Sequence, residues 1–171
     1  MLLAVSRFDT CLGSMIVVAD ENSLYLLEFF DKKNLQSQMK QFQNLFPFSF
    51  IERKTIPMLS IEKELHAYFS GQLKVFQTQI NLHGSCFQQS VWNALMTISY
   101  GETRSYIDQA RLIGKPSAYR AVANANGANR LAIIVPCHRV MSHNGQLGGY
   151  SGGVWRKEWL MRHEKENNTS R

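Results

Sequence analysis

Cysteine is scarce in this chain of 171 residues, with three, at Cys11, Cys86 and Cys137. An odd number at wide spacing, with no CxxC pair, excludes a disulfide framework and points to a reducing compartment. The expected location is therefore cytoplasmic, or nuclear if the source is eukaryotic. Long apolar runs are also missing. The opening Met1–Val5 is apolar, but Arg7 and Asp9 interrupt it before a signal-peptide core can form. No stretch reaches the length of a membrane span, so no membrane partner is expected. Internal repeats and low-complexity tracts are absent. What remains is 44% hydrophobic and 19% charged, a globular composition able to bury a core. The length fits one ordinary domain or two small ones. The net charge of +6 fits either a solvated basic surface or an anionic partner such as nucleic acid, and charge alone does not choose.

The first part of the chain reads as mixed α/β. Met15–Ala19 and Leu24–Phe29 are strand-like, with turn chemistry in Asp20-Glu21-Asn22-Ser23 between them. A helix is expected from Asn34 to Leu45. A second is expected to be capped by Ser60, to carry Ile61, Leu65, Tyr68 and Phe69 on one side, and to end at Gly71. Nothing in this half marks chemistry, so its expected role is scaffold. The composition shifts around Asn81 to Ser85, where a linker is expected. Three short helices should follow. The first runs from Gln88 to Ile98. The second starts at Ser105, an N-cap with Asp108 three residues on, and ends at Gly114. After the break at Lys115-Pro116, Ser117 should cap the third, which ends near Asn126 with Gly127 as its C-terminal residue. Two short helices around a Gly-Lys-Pro break fit a helix-turn-helix, a pattern that any compact helical domain can also contain. The tail from Asn167 to Arg171 is expected to fray.

Cys137 is the residue best placed for chemistry. Leu131–Val135 is an apolar, β-branched run expected to be a buried strand that Pro136 ends, which puts Cys137 where the strand leaves the core. An arbitrary cysteine is most simply a small buried hydrophobe. Here His138 and Arg139 follow at once, and both favour a thiolate. A thiol is only a few per cent ionised at neutral pH, so a nucleophilic cysteine needs a base, and His138 is the nearest. Adjacent residues on an extended chain point apart, so a bridging water fits better than direct contact. A carboxylate behind the histidine would fix its tautomer, and Glu164, Glu158 and Asp108 are all open. Gly145–Gly153 holds five glycines in nine residues. It is either a mobile loop or a backbone wall against a flat ligand, with Tyr150 beside it. It lacks the Lys-Ser/Thr end of a phosphate-binding loop. Arg120 lies among Ala118, Ala121, Ala123 and Ala125. Small side chains let a helix press against a neighbouring helix or a DNA groove, and an arginine on such a face favours a surface contact.

At these residues the chain resembles the O6-alkylguanine-DNA alkyltransferases, or methylated-DNA–protein-cysteine methyltransferases. Pro136-Cys137-His138-Arg139-Val140 matches the active-site motif of that family. Supporting matches are Phe87–Trp92, Gly101–Tyr106, Arg120-Ala121-Val122, Gly149–Gly153 and Lys157–Leu160. Order and spacing fit from Phe87 to Glu164, while the N-terminal half fits loosely, through Leu12-Gly13 and the strands after it. The resemblance implies a ribonuclease-H-like α/β N-terminal domain at 1–80. It also implies a mostly helical C-terminal domain with a helix-turn-helix at 86–166. By resemblance, Cys137 is the alkyl acceptor, His138 the base acting through a water, and Glu164 its orienting carboxylate. Asn129 braces the turn before the active site. Arg120 fills the space left by a flipped nucleotide, and Tyr106 rotates the phosphate and touches the base. Ala121 lies on the DNA-binding face. The carbonyls of Cys137 and Val140 and the amide of Ser151 read guanine, with Tyr150 as a pocket wall. Departures from the usual pattern are Ser85-Cys86, Ser99 and Tyr119, and none removes a catalytic group.

The implied activity is repair of O6-alkylguanine, with O4-alkylthymine as a second candidate substrate, in double-stranded DNA bound through the minor groove by a monomer. A base inside a duplex is unreachable, so the nucleotide must be extruded. Displacement at the alkyl carbon leaves a thioether that nothing in the chain is equipped to cleave, so one turnover per molecule is expected. No cofactor is implied. No cysteine and histidine set supports the structural zinc that some family members carry. A damage-sensing binder without chemistry is disfavoured by the cysteine itself. A cysteine hydrolase using Cys137 and His138 would need an oxyanion hole and multiple turnovers.

Overall fold

The computed structural model describes residues 2–46 and 49–169, and the side chains of Ser49 and Phe50 are outside that description. The chain divides into two compact units, Met1–Asn81 and Leu82–Arg171.

The first unit is built on a four-stranded sheet in the order β3-β2-β1-β4. Strands β1 (Leu2–Thr10), β2 (Gly13–Ala19) and β3 (Leu24–Phe29) form an antiparallel meander, and β4 (Ser49–Glu52) pairs with β1 in parallel. The expected strands at Met15–Ala19 and Leu24–Phe29 are present. Asp20 makes the turn between them by accepting the Asn22 and Ser23 amides on its Oδ1. The opening run is itself a strand, which its short apolar stretch and the polar residues after it did not announce.

Helix α1 (Leu35–Leu45) lays Phe42 on the sheet with Leu3, Val18, Tyr25 and Leu26. Helix α2 (Ile56–Phe69) starts a turn earlier than expected, with Thr55 at the N-cap position. Pro57 occupies the first turn, where its missing N–H costs nothing. Ser60 is not the cap, and its hydroxyl pairs with Thr78 Oγ1 at 2.7 Å. Gly71 ends the helix in the left-handed region (φ 78°). Ile61, Leu65 and Tyr68 form the buried face.

The second unit is mostly helical. Helix α3 (Cys86–Met96) begins two residues before the expected start because Ser85 and Gln88 form a full capping box. A two-residue strand β5 (Arg104–Ser105) leads into α4 (Tyr106–Leu112), whose expected capping box between Ser105 and Asp108 is also complete. Gly114 then turns with φ 73°. A 3-10 turn at Pro116–Ala118 precedes α5 (Tyr119–Gly127), so Ser117 lies inside that turn and makes no cap. Gly127 is the last helical residue, and Ala128 follows in the right-handed region at φ −86°, so no left-handed glycine cap forms. The C-terminal helix α6 (Val154–Asn167) extends into the segment expected to fray, and Thr169 still bonds the Glu166 carbonyl. Ser170 and Arg171 lie outside the described residues.

The largest departure lies just before Cys137. Leu131–Val135 is buried as expected, apart from the half-buried Ile134, but it is a turn and not a strand. Ile133 sits at φ 73°, which a β-branched residue rarely adopts. Asn129 holds the turn in place of a neighbouring strand. Its Oδ1 accepts the Leu131 amide at 2.9 Å, and its Nδ2 donates to the Val135 carbonyl at 2.9 Å. The chain then enters a 3-10 turn, Cys137–Arg139, and a short strand β6 (Val140–Met141) paired in parallel with β5.

Candidate active site

Cys137 opens that 3-10 turn and is 8% exposed. Its sulfur lies 3.5 Å from Asn129 Nδ2, so the residue that braces the turn also donates toward the thiol. On its open side Cys137 lines a cavity of about 370 Å³. Tyr106 from α4, Ala123, Asn126 and Gly127 from α5, and Tyr150 and Ser151 from the glycine-rich segment share its wall. That segment is therefore a wall at Gly149–Ser151, one of the two alternatives open from sequence. Gly148 (φ 71°) is required there, because a Cβ would stand 2.8 Å from the Tyr106 hydroxyl.

Behind the cysteine is a buried charged cluster. The three candidate carboxylates separate by position. Asp108 is exposed and tied to Ser105, and Glu158 is exposed on α6. Glu164 is 1% exposed and meets His138 Nε2 at 2.7 Å. It also accepts Arg139 Nε at 2.8 Å, Arg139 Nη2 at 3.0 Å and the Gly101 amide at 3.2 Å. Burial alone would raise the Glu164 pKa, but His138 and Arg139 outweigh it and hold the carboxyl well below its usual range. For His138 burial dominates. Together with the nearby Arg139 and Lys157 charges, it outweighs the pull of Glu164 and lowers the pKa.

The tautomer follows from these two directions. An ionised carboxylate only accepts, so Nε2 of the neutral imidazole must carry the proton. Nδ1 is then the lone-pair nitrogen, and it is buried with no hydrogen-bond partner in the structure. A neutral imidazole with a free lone pair is the state a general base needs.

Two contributions to this site were not assigned from sequence. Arg139 was read only as favouring a thiolate. It also clamps Glu164 with two nitrogens and donates Nη1 to the Ile98 carbonyl at 2.6 Å. Lys157 is fully buried and donates to the Gly149 carbonyl at 3.2 Å and the Tyr106 hydroxyl at 3.4 Å. Burial lowers its pKa to about 8, against an opposing pull from Cys137. A signal was present: Arg156, Lys157, Leu160 and Glu164 recur at helical spacing on one face of α6, and a charged inward face calls for partners. Tyr106 has its pKa raised, first by burial and then by Cys137, so it stays a protonated donor. Because Lys157 donates to its oxygen, the hydroxyl hydrogen remains free.

The other expected site residues are spread around this centre. Arg120 and Ala121 are exposed at the start of α5, and the Arg120 guanidinium lies 5.8 Å from the Tyr119 ring. Val140 is buried in β6 and does not line the cavity. Among the described residues, no group of three or more His, Cys, Asp or Glu side chains could hold a metal ion. Among them, too, no helix is long and apolar enough to cross a membrane.

Residues 86–166 match a family described as 6-O-methylguanine DNA methyltransferase, DNA binding domain. The methylated-DNA–protein-cysteine methyltransferase of Methanosarcina acetivorans is 41% identical over 158 residues, covering 92% of this chain and 95% of the relative. That of Mycobacterium bovis is 56% identical over 102 residues, covering 60% of this chain and 62% of the relative. The crystal structure of Mycobacterium tuberculosis OGT in complex with DNA superposes with a TM-score of 0.82 at 36% identity, covering 98% of this chain and 94% of that one. With a relative at this identity along nearly the whole of both chains, and with Cys137 in the wall of a cavity and His138 and Glu164 paired in the interior behind it, the chain belongs to the methylated-DNA–protein-cysteine methyltransferase family.

Proposed function

We propose that this chain repairs O6-alkylguanine in double-stranded DNA by moving the alkyl group onto Cys137, once per molecule. The observation that carries this is a thiol in a cavity wall, followed at once by a neutral His138 held by an ionised Glu164. His138 Nδ1 takes the thiol proton through a water, and Glu164 and Arg139 keep the imidazole oriented and stabilise its charged form. Lys157 and the Asn129 amide favour the thiolate electrostatically. The sulfur displaces guanine from the alkyl carbon, the C–O6 bond breaks toward oxygen, and Tyr106 passes its proton to the leaving base. The thioether is stable, so the protein is consumed. O4-alkylthymine offers the same bond to the same sulfur.

The target base must leave the duplex to reach Cys137, at a cost of roughly a few kcal/mol. Helix α5 exposes Tyr119 and Arg120 at its start and Ala121, Asn124 and Gly127 after them, a face whose later part is small enough to suit the minor groove. Arg120 fills the space the nucleotide leaves, and α4 with α5 acts as a helix-turn-helix. The Cys137 carbonyl and the Ser151 amide, from residues that line the cavity, read guanine, with Tyr150 as a wall. The N-terminal domain at 1–80 is a ribonuclease-H-like scaffold, a reading supported by three antiparallel strands joined by a parallel β4 beside β1. Residues 86–166 form the DNA-binding and transfer domain. The protein acts as a monomer in the cytoplasm, or in the nucleus of a eukaryote, and its three free thiols fit such a reducing compartment.

The test is stoichiometric. Protein is mixed with duplex DNA carrying O6-methylguanine labelled in the methyl group. One equivalent of label should move to protein, and Cys137→Ala should bind the duplex yet take none. Transfer beyond one equivalent, or undiminished transfer in the variant, refutes the assignment.

A further inference from the structure

Two amide side chains form a closed pair, with Asn126 in the wall of the cavity and Gln109 behind it. Asn126, on α5, lines it between Ala123 and Gly127 and is 5% exposed. Gln109, one turn after Tyr106 on α4, is 2% exposed. Gln109 Nε2 donates to Asn126 Oδ1 at 2.9 Å, and Asn126 Nδ2 donates back to Gln109 Oε1 at 2.7 Å. Gln109 Nε2 also reaches the Val91 carbonyl of α3 at 3.3 Å. The pair therefore fixes the plane and the orientation of the Asn126 amide.

Packing alone does not call for this pair. Two apolar side chains of the same shape would serve nearly as well, since replacing both partners of a buried hydrogen bond is close to neutral. The amides leave something that leucines would not. A primary amide has two N–H donors and an oxygen with two lone pairs. After the closed pair, Asn126 keeps one N–H and one lone pair, and buried polar groups need partners.

We infer that the Asn126 amide, locked by Gln109, is a specificity determinant that makes the cavity favour O6-adducts ending in a hydrogen-bonding group, such as 2-hydroxyethyl, over apolar adducts of equal size. This rests on Cys137 being the alkyl acceptor. The hydroxyl of a hydroxyethyl group accepts the spare Asn126 N–H or donates to its oxygen, whereas the terminal methyl of an n-propyl group leaves both unpaired. The chemical step is the same for each adduct. The sulfur bonds the adduct's first carbon, the C–O6 electron pair goes to guanine with a proton, and an S-alkylcysteine remains.

The experiment measures second-order transfer rates from one duplex sequence carrying O6-methyl-, O6-(2-hydroxyethyl)- or O6-n-propylguanine. Comparing adducts in the same duplex cancels any change in DNA affinity. In the unaltered protein hydroxyethyl should be transferred faster than propyl, by about tenfold for one unpaired buried polar group. Equal rates, or faster propyl transfer, overturn the inference without any variant. In Gln109→Leu/Asn126→Leu the ratio of hydroxyethyl to propyl transfer should fall at least fivefold, whatever the absolute rates of the variant. An unchanged preference assigns the amide pair to helix packing only and overturns the inference. Failure of methyl transfer in the unaltered protein would instead overturn the proposed function itself.

Discussion

Replacing Glu164 with glutamine tests the buried cluster most sharply, because the side chain keeps its shape and loses its charge. Glu164 accepts four hydrogen bonds, from His138, twice from Arg139 and from the Gly101 amide. A glutamine oxygen can serve only part of this set, and its NH₂ must face another donor. Arg139, 7% exposed, then keeps its charge in the interior without an anion. Breaking one partner of a buried pair costs about 3–5 kcal/mol. All three tryptophans, Trp92, Trp155 and Trp159, lie in the second unit, so their fluorescence during denaturant unfolding reports on that unit. Glu164→Gln should lower its unfolding free energy by that amount and slow alkyl transfer by at least an order of magnitude, since the imidazole loses its orienting charge. The pH dependence has a definite sign. The Glu164 pKa is held low in the folded state, so its contribution is present above the unfolded carboxylate value of about 4.3 and is lost as pH falls below it. His138 is also lowered, so its contribution fades as pH drops below about 6.5. The second unit should therefore weaken steadily toward acid, and Glu164→Gln should flatten the more acidic part of that curve. A loss under about 1 kcal/mol, with transfer unchanged, would refute the role given to the cluster.

Other substitutions probe the remaining parts. Lys157 carries its charge below about pH 8, so Lys157→Met should slow transfer most at low pH, and the ratio of wild-type to variant rates should fall toward one as pH rises through 8. A pH-independent ratio would remove its electrostatic role. Asn129→Ala leaves the Leu131 amide without its partner and removes one of the two donors to the Val135 carbonyl, which keeps the Cys137 amide, so it should cost roughly 1–3 kcal/mol in denaturant unfolding, the cost of one buried group left unpaired. An effect below about 1 kcal/mol would mean that the turn stands without it. Arg120→Ala removes an exposed side chain and should leave stability within about 0.5 kcal/mol while weakening repair of duplex DNA. Alkyl transfer from free O6-benzylguanine, which needs no base extrusion, should be unaffected. Equal loss on both substrates would contradict a role in extrusion.

Local signals in the sequence carried further than patterns that required tertiary information. The Asp20 turn and the Ser105–Asp108 box depend on residues within four positions of one another, and both are present. The apolar run at Leu131–Val135 was legible as buried but not as a turn. A buried strand and a buried turn expose the same β-branched surface to a sequence pattern, and what separates them is Asn129 bonding the run at both ends. The active-site motif made Cys137 and His138 visible, and the family resemblance chose Glu164. The double hold of Arg139 on Glu164, the burial of Lys157 and the Gln109–Asn126 pair each join residues at least 8 positions apart along the chain, and periodicity can mark a face such as that of α6 as inward without saying which partner it meets.

The central claim is that Cys137 is the alkyl acceptor and is consumed. Intact mass after incubation with excess O6-methylguanine duplex, followed by peptide mapping, tests it most directly. The protein should gain the mass of one methylene and no more, located on the peptide containing Cys137, with Cys11 and Cys86 unmodified. An unchanged mass with demethylated DNA in the same tube, or the added mass on another residue, would contradict it.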